Sequence, residues 1–385
     1  MVRNQDSSFM RFSRSVSSGL AIFHDYFGIR GGGERLVLTL AQATHATLVY
    51  GYKTDQSFDE TYFPTGARSL GVARRFRKFG LHIPVLTAAF RRQQRWAARF
   101  PVRLFSGVVS PFSAPDRSDG GINIYYCHTP PRFLFDQRES ILARKSPLRR
   151  LIALPGLALF EHGYRRAVRR MDIIATNSEN TRARIKKYLG RDSVVIYPPI
   201  DTGRFSWTGQ GSYYLSTARL SPLKRVDKIV EAFLDMPEKH LVVVSGGEEE
   251  ERLRRLAANA PNIQFRGWVG DAELAELIGR SIATIYLAKD EDFGMSPVES
   301  MAAGKPVIGV AEGGLLESIR DGTTGTLLDP DFTRRDIVSA VMAMTPEKAL
   351  SMRFACEERA REFSESHFLR RMTSLIEAAE HPAQR

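Results

Sequence analysis

Short apolar runs alternate with helical spacings along the chain, most clearly in its second half. Tyr213–Ser216, Leu241–Ser245, Ile263–Arg266, Ile282–Leu287, Pro306–Val310 and Thr326–Leu328 read as strands. Between them Val226–Leu234, Glu249–Ala258, Asp271–Ile278, Pro297–Ala303, Leu315–Ile319 and Arg334–Met344 read as helices, with Asp271 as the cap of its own. Strands apolar on both faces need cover on both sides, and helices between consecutive strands supply it. The pattern predicts a parallel, doubly wound sheet. Such sheets bind ligands outside the carboxyl ends of their strands.

The first half is noisier but of the same kind. Leu20–His24, Thr47–Tyr50, Ile122–Tyr126, Ile173–Thr176 and Val194–Tyr197 read as strands, with helices over Glu34–Gln42 and Thr181–Tyr188. Pro198-Pro199 closes this half, and Ile200-Asp201 begins the crossing to the next. The expected fold class is α/β, with two Rossmann-like domains over residues 1–200 and 201–362 that face one another across a cleft. Residues 1–18 read as a tail, and Phe363–Ala379 as a helical stretch beyond the second domain.

Composition agrees with two such domains. The 385 residues are 43% hydrophobic and 25% charged, enough for two cores and unlike a disordered, collagen-like or disulfide-stapled chain. Cys127 and Cys356 are the only cysteines, so a reducing, cytoplasmic compartment is expected. No apolar stretch approaches the roughly 18–20 residues of a bilayer span. Leu20–Phe23 is too short for the apolar part of a signal peptide.

Charge changes the picture. Residues 1–200 hold 32 Lys+Arg and 14 Asp+Glu, whereas residues 201–385 hold 23 and 29. The basicity concentrates in Ala73–Arg103 and Arg144–Arg170, where cations interleave with Phe90, Trp96, Phe100, Leu148, Leu151, Ile152, Leu159 and Phe160. Such mixing suits an anionic lipid surface, where each cation adds about 1 kcal/mol. Arg74, Arg75, Arg77, Lys78, Arg91, Arg92, Arg95 and Trp96 form the candidate membrane or acceptor patch. A solvated helix face over an ordinary core is the plain alternative. No nucleic-acid motif accompanies the charge, so nucleic acid is not an expected partner.

Four clusters carry candidate chemistry. Gly31-Gly32-Gly33, after a strand and before a helix, can turn backbone N–H groups toward an anion, or can be a simple flexible turn. The run is neither a dinucleotide fingerprint nor a P-loop. Arg219 and Lys224 lie five apart after the first strand of the second domain. A planar fork and a point charge at a sheet's carboxyl edge suit a diphosphate leaving group. Glu291 and Glu299 straddle the turn Phe293-Gly294-Met295; they can accept hydrogen bonds from vicinal hydroxyls or act as an acid/base pair. His128, just past a strand and followed by Thr129-Pro130-Pro131, can bond a sugar hydroxyl, move a proton, or be structural.

These residues together resemble the retaining glycosyltransferases of family 4, which have the GT-B fold. The resemblance runs from about Leu20 to the final helices. It is strongest in the second domain, where Arg219, Lys224 and the Glu291/Glu299 pair fall in family order and spacing. It implies that the backbone at Gly32 and Gly33, with Arg219 and Lys224, clamps the diphosphate of a nucleotide-sugar donor. Glu291, helped by the Phe293, Gly294 and Met295 backbone, is implied to bind the transferred sugar, and Glu299 the ribose. The base would lie against Trp268 and Val269, and His128 beside the donor sugar. No metal cofactor is implied. The last helical stretch, 363–385, would cross back to the first domain.

The stretch from His128 to Arg132 is similar to bacterial members that build lipid-linked polysaccharide, many of them using GDP-mannose. That resemblance implies mannosyl transfer, with retention, onto a polyprenyl-diphosphate-linked glycan by a protein held peripherally on the cytoplasmic face of the inner membrane. A soluble or membrane-associated member using a UDP- or dTDP-sugar is the alternative. An inactive sugar- or nucleotide-binding relative should lack one of Arg219, Lys224 or Glu291, and all are present.

Overall fold

The computed structural model describes residues 19–72, 82–116, 119–143 and 146–380; Arg74, Arg75, Arg77 and Lys78 of the candidate patch, and the tail 1–18, lie outside the described residues. The chain forms two compact units, residues 1–198 together with 368–385, and residues 199–367.

In the first unit seven parallel strands run β1 (Leu20–His24), β2 (Thr47–Tyr50), β3 (Arg68–Ser69), β4 (Val102–Ser106), β5 (Ile122–Cys127), β6 (Ile173–Thr176) and β7 (Val194–Val195). Their spatial order is β3-β2-β1-β4-β5-β6-β7, so the winding reverses between β1 and β4. The pleat of β1 sends Leu20 and Ile22 to one face and Ala21 and Phe23 to the other, and each pair enters its own core. The helix α1 (Gly32–Thr44) covers the first face with Leu36, Val37 and Leu40, and the chain's last helix joins it there through Phe368, Leu369, Met372 and Ile376.

Strand β4 is central, yet the apolar pattern did not predict it. Arg103 interrupts the run, and its side chain is fully buried. The guanidinium ion-pairs with Asp119 at 2.9 Å and donates to the Phe100 carbonyl at 2.8 Å and to Asn123 Oδ1 at 3.1 Å. A buried cation is tolerated only when so completely partnered. The second basic stretch folds largely into one long helix, α2 (Pro147–Arg169).

The second unit carries six parallel strands, β8 (Tyr213–Ser216), β9 (His240–Val244), β10 (Ile263–Gly267), β11 (Thr284–Ile285), β12 (Val307–Val310) and β13 (Gly325–Leu328). They lie in the order β10-β9-β8-β11-β12-β13, with the reversal between β8 and β11. Strand β11 is shorter than its apolar run, although Ile282 and Tyr286 still donate backbone hydrogen bonds to Tyr213 and Ile308. Asp271 does not cap its helix. Gly270 holds the cap position, and Asp271, the first helical residue, pairs with Arg204 at 3.0 Å.

Candidate functional site

In the second unit the candidate residues gather at the carboxyl edge, around the reversal between β8 and β11. The loop after β8 carries Arg219, which is exposed and makes no ion pair among the described residues. Lys224 ends the short turn Pro222–Lys224. Its ammonium donates to the Tyr286 hydroxyl at 2.9 Å and ion-pairs closely with the Glu291 carboxylate. The Tyr286 hydroxyl in turn donates to Glu291 Oε2 at 3.0 Å, closing a triangle. Burial, then the neighbouring Glu291, pushes the Tyr286 phenol well above its usual range, so it stays a donor.

The sequence placed Lys224 on the diphosphate and Glu291 on the sugar; in the structure these two hold each other. It also missed Tyr286, whose position directly after β11 reads as core. The signal available was a hydroxyl at the carboxyl end of an apolar strand.

The loop bearing Glu291 is pinned from below. Gly314 donates its N–H to the Glu291 carbonyl at 2.8 Å. Gly313, at φ +60°, approaches so closely that an added Cβ would stand 2.5 Å from that same oxygen. No other residue fits there without moving the loop. Gly294, at φ +88°, then turns the chain into α3 (Met295–Ala302), which starts two residues earlier than expected. Phe293 is buried edge-on to Phe363 at 5.2 Å, so only its backbone is available to a ligand. Glu299 sits in the second turn of α3, close enough to Tyr286 to raise its pKa.

Trp268 stands 74% exposed just past β10, with its indole against Gly246, where a Cβ would lie 2.5 Å from Nε1. Gly246 accepts a hydrogen bond from the Leu220 N–H at 3.1 Å, which ties the Arg219 loop to the tryptophan's neighbourhood. Val269 is partly buried against the core.

In the first unit Gly31 precedes α1, while Gly32 and Gly33 form its opening turn, without a side-chain cap. Their N–H groups are free of intrahelical partners. Glu34 folds back toward Gly31, and burial raises its carboxyl pKa. His128 follows β5 directly, and its ring lies over this turn: a Cβ on Gly33 would meet His128 Cε1 at 3.3 Å. The structure thus brings Gly33 and His128 together. Beneath them His128 Nε2 lies 2.8 Å from Ser106 Oγ, and Ser106 Oγ lies 3.1 Å from His24 Nδ1. Asn177 Nδ2 donates to the His128 carbonyl at 2.9 Å. Burial lowers the His128 pKa to about 4, and burial together with His128 lowers that of His24 to about 3. Both rings are neutral near pH 7.

Of the candidate patch, Arg91, Arg92 and Arg95 are exposed, Arg91 lying over the Phe112 ring at 5.1 Å. Trp96 turns inward against Phe23 and Phe100, at 5.8 and 4.8 Å between ring centres. The cations rather than the indole face solvent.

Residues 204–363, nearly all of the second unit, match the family described as glycosyl transferases group 1. The chain is similar to the alpha-1,3/1,6-mannosyltransferase ALG2 of Dictyostelium discoideum, 26% identical over 83% of this chain and 88% of that protein. The chain is a glycosyltransferase. The transferase also resembles the GDP-mannose-dependent alpha-(1-6)-phosphatidylinositol monomannoside mannosyltransferase of Mycolicibacterium smegmatis, at 27% identity over 49% of this chain and 59% of that one. It shares its fold with Anabaena HepE, solved in complex with UDP and glucose, at a TM-score of 0.71 and 17% identity over 94% of this chain and 99% of that one. Two Rossmann-like units with wholly parallel sheets make the transferase a GT-B protein. No helix among its described residues is long and apolar enough to cross a membrane.

Proposed function

We propose that this glycosyltransferase moves a mannosyl unit from GDP-mannose, with retention, onto a polyprenyl-diphosphate-linked saccharide in bacterial cell-surface polysaccharide synthesis. The observation that carries the donor chemistry is the Lys224–Tyr286–Glu291 triangle, at the sheet edge that also bears the exposed Arg219. In this reading Arg219 and Lys224 take the diphosphate as it acquires charge, without a metal ion. Glu291 takes hydroxyls of the sugar, Glu299 the ribose, and Trp268 and Val269 the base. In the first unit the Gly32 and Gly33 amides are assigned to an anionic group and His128 to a sugar hydroxyl. The anomeric C–O bond to the β-phosphate breaks, and the acceptor oxygen bonds the same carbon from the same face. A β-phosphate oxygen takes the acceptor proton, so no protein nucleophile is required. Similarity to two relatives named as mannosyltransferases supports the choice of sugar.

Thermal shift with GDP-mannose, UDP-glucose and dTDP-glucose tests the donor. A ligand at a hundred times its Kd stabilises by about 2.7 kcal/mol. GDP-mannose is expected to raise Tm most; a rise confined to UDP- or dTDP-glucose rejects the mannosyl reading.

The membrane surface in this reading rests on α2. Leu148, Leu151, Ile152 and Leu159 are 68% to 73% exposed, and their spacing aligns them as one stripe along the helix. Further along the same face come His162, Arg166 and Arg169, lining a cavity of about 460 Å³ with Asp116 and Arg170. Aliphatic side chains followed by cations match the acyl boundary and anionic headgroups of a bilayer. The wild type is expected to float with liposomes containing phosphatidylglycerol. The double variant Leu151→Glu/Ile152→Glu should stay in the soluble fraction while hydrolysing donor normally. Equal flotation of the two proteins would refute the α2 contact.

A further inference from the structure

Three neighbouring strands of the first sheet end in groups that touch in sequence. His24 is the last residue of β1, Ser106 the last of β4, and His128 follows the last residue of β5. Sheet order places β4 between β1 and β5, and His24 is the register partner of Ser106. The serine hydroxyl therefore stands between two imidazoles, 3.1 Å from His24 Nδ1 and 2.8 Å from His128 Nε2. Ser106 is completely buried and His24 nearly so, which leaves water little access to the chain of contacts.

We propose that Ser106 is a positioning residue for glycosyl transfer, bridging His24 to His128 and so locking the tautomer of His128 to that of His24. The proposal rests on the reading of His128 as a donor-site group. A hydroxyl has one proton to give, and each neutral imidazole has one N–H and one lone pair. Two arrangements satisfy both contacts at Ser106 Oγ, and the His24 ring, which also bonds the backbone at Ser106 and Tyr26, weighs on the choice between them. In one, His24 Nδ1–H donates to Oγ and Oγ–H donates to His128 Nε2, which leaves the His128 proton on Nδ1. In the other, His128 Nε2–H donates to Oγ and Oγ–H donates to His24 Nδ1, which leaves His128 Nδ1 as an acceptor. If both rings donate, the hydroxyl proton is stranded; if both accept, one lone pair is. A stranded buried group costs about 1–3 kcal/mol.

The consequence reaches the ligand side. His128 Nδ1 lies 3.5 Å from where a Cβ on Gly33 would stand, beside the uncapped opening turn of α1. Whether that nitrogen offers a proton or a lone pair to a sugar hydroxyl follows the tautomer of His24, passed on through Ser106. Neither residue touches the place a ligand would occupy.

The test combines ring-¹⁵N histidine NMR with kinetics on the full chain. His128 signals are assigned by their loss in His128→Ala, and turnover is read as hydrolysis of GDP-mannose. Wild type is expected to show one His128 tautomer. Ser106→Ala and, as an independent variant, His24→Phe should give a mixture of both. Ser106→Ala should lower kcat about tenfold, equivalent to one hydrogen bond, with KM changed less than about twofold. Ser106→Thr, which keeps the hydroxyl, should restore both the single tautomer and the rate. Unchanged His128 ring shifts in both Ser106→Ala and His24→Phe overturn the bridge. Wild-type turnover in His128→Ala instead overturns the donor-site reading, whatever the spectra show.

Discussion

Lys224→Ala is expected to lower turnover by roughly two to three orders of magnitude, the scale of losing one charge-stabilising donor. The departing nucleoside diphosphate gains negative charge as the anomeric bond breaks, and an ammonium within reach lowers the barrier by following that charge. Lys224 is suited to the task because its position is defined twice, by the Tyr286 hydroxyl and by the Glu291 carboxylate. A flexible four-carbon stem then spends little entropy reaching the transition state. The alanine variant should melt near the wild type, since the lysine is only partly buried. Single-turnover kinetics with saturating donor give the measurement. A rate within threefold of wild type would remove Lys224 from the chemistry.

Glu291→Gln should separate binding from turnover. The carboxylate both partners the lysine and repels an incoming diphosphate, so its neutralisation is expected to leave GDP binding equal or tighter by calorimetry. Turnover should nevertheless fall on the order of a hundredfold, because the amide presents one uncharged accepting oxygen and an NH2 donor where the carboxylate presents two charged acceptors to the sugar hydroxyls at the reacting ring. Since Lys224 and Glu291 touch, the double variant should cost clearly less than the two single losses combined. Additive losses would mean that the pair does not act as a unit. Weaker GDP binding in Glu291→Gln would show that the carboxylate serves the nucleotide rather than the sugar.

What could be read in advance followed from the chemistry of each segment. Leu20–His24, Thr47–Tyr50, Ile173–Thr176, Tyr213–Ser216 and the helix Val226–Leu234 keep in the structure the limits their patterns imply. They are uniformly apolar or cleanly amphipathic. Strand β4 escaped because Arg103 looks like a surface residue, and its partners Asp119 and Asn123 come from the next connection and the next strand. Helix α2 escaped because its exposed side is itself apolar in the first half, which erases the contrast between faces. Motif residues such as Lys224 and Glu291 were visible singly. Their pairing, and Tyr286 between them, depend on two strands meeting at a reversal that no local window contains. Ser106 and His24 were hidden for the same reason.

The helix Glu365–Glu380 supplies Phe368, Leu369, Met372 and Ile376 to the interior of the first unit. During synthesis these side chains leave the ribosome after every strand of the second unit. The half whose translation starts earlier is therefore the half completed later, and until then its α1 face is bare to chaperones and to other nascent chains. Cutting the message before codon 368 should yield a folded second half attached to an aggregating first one.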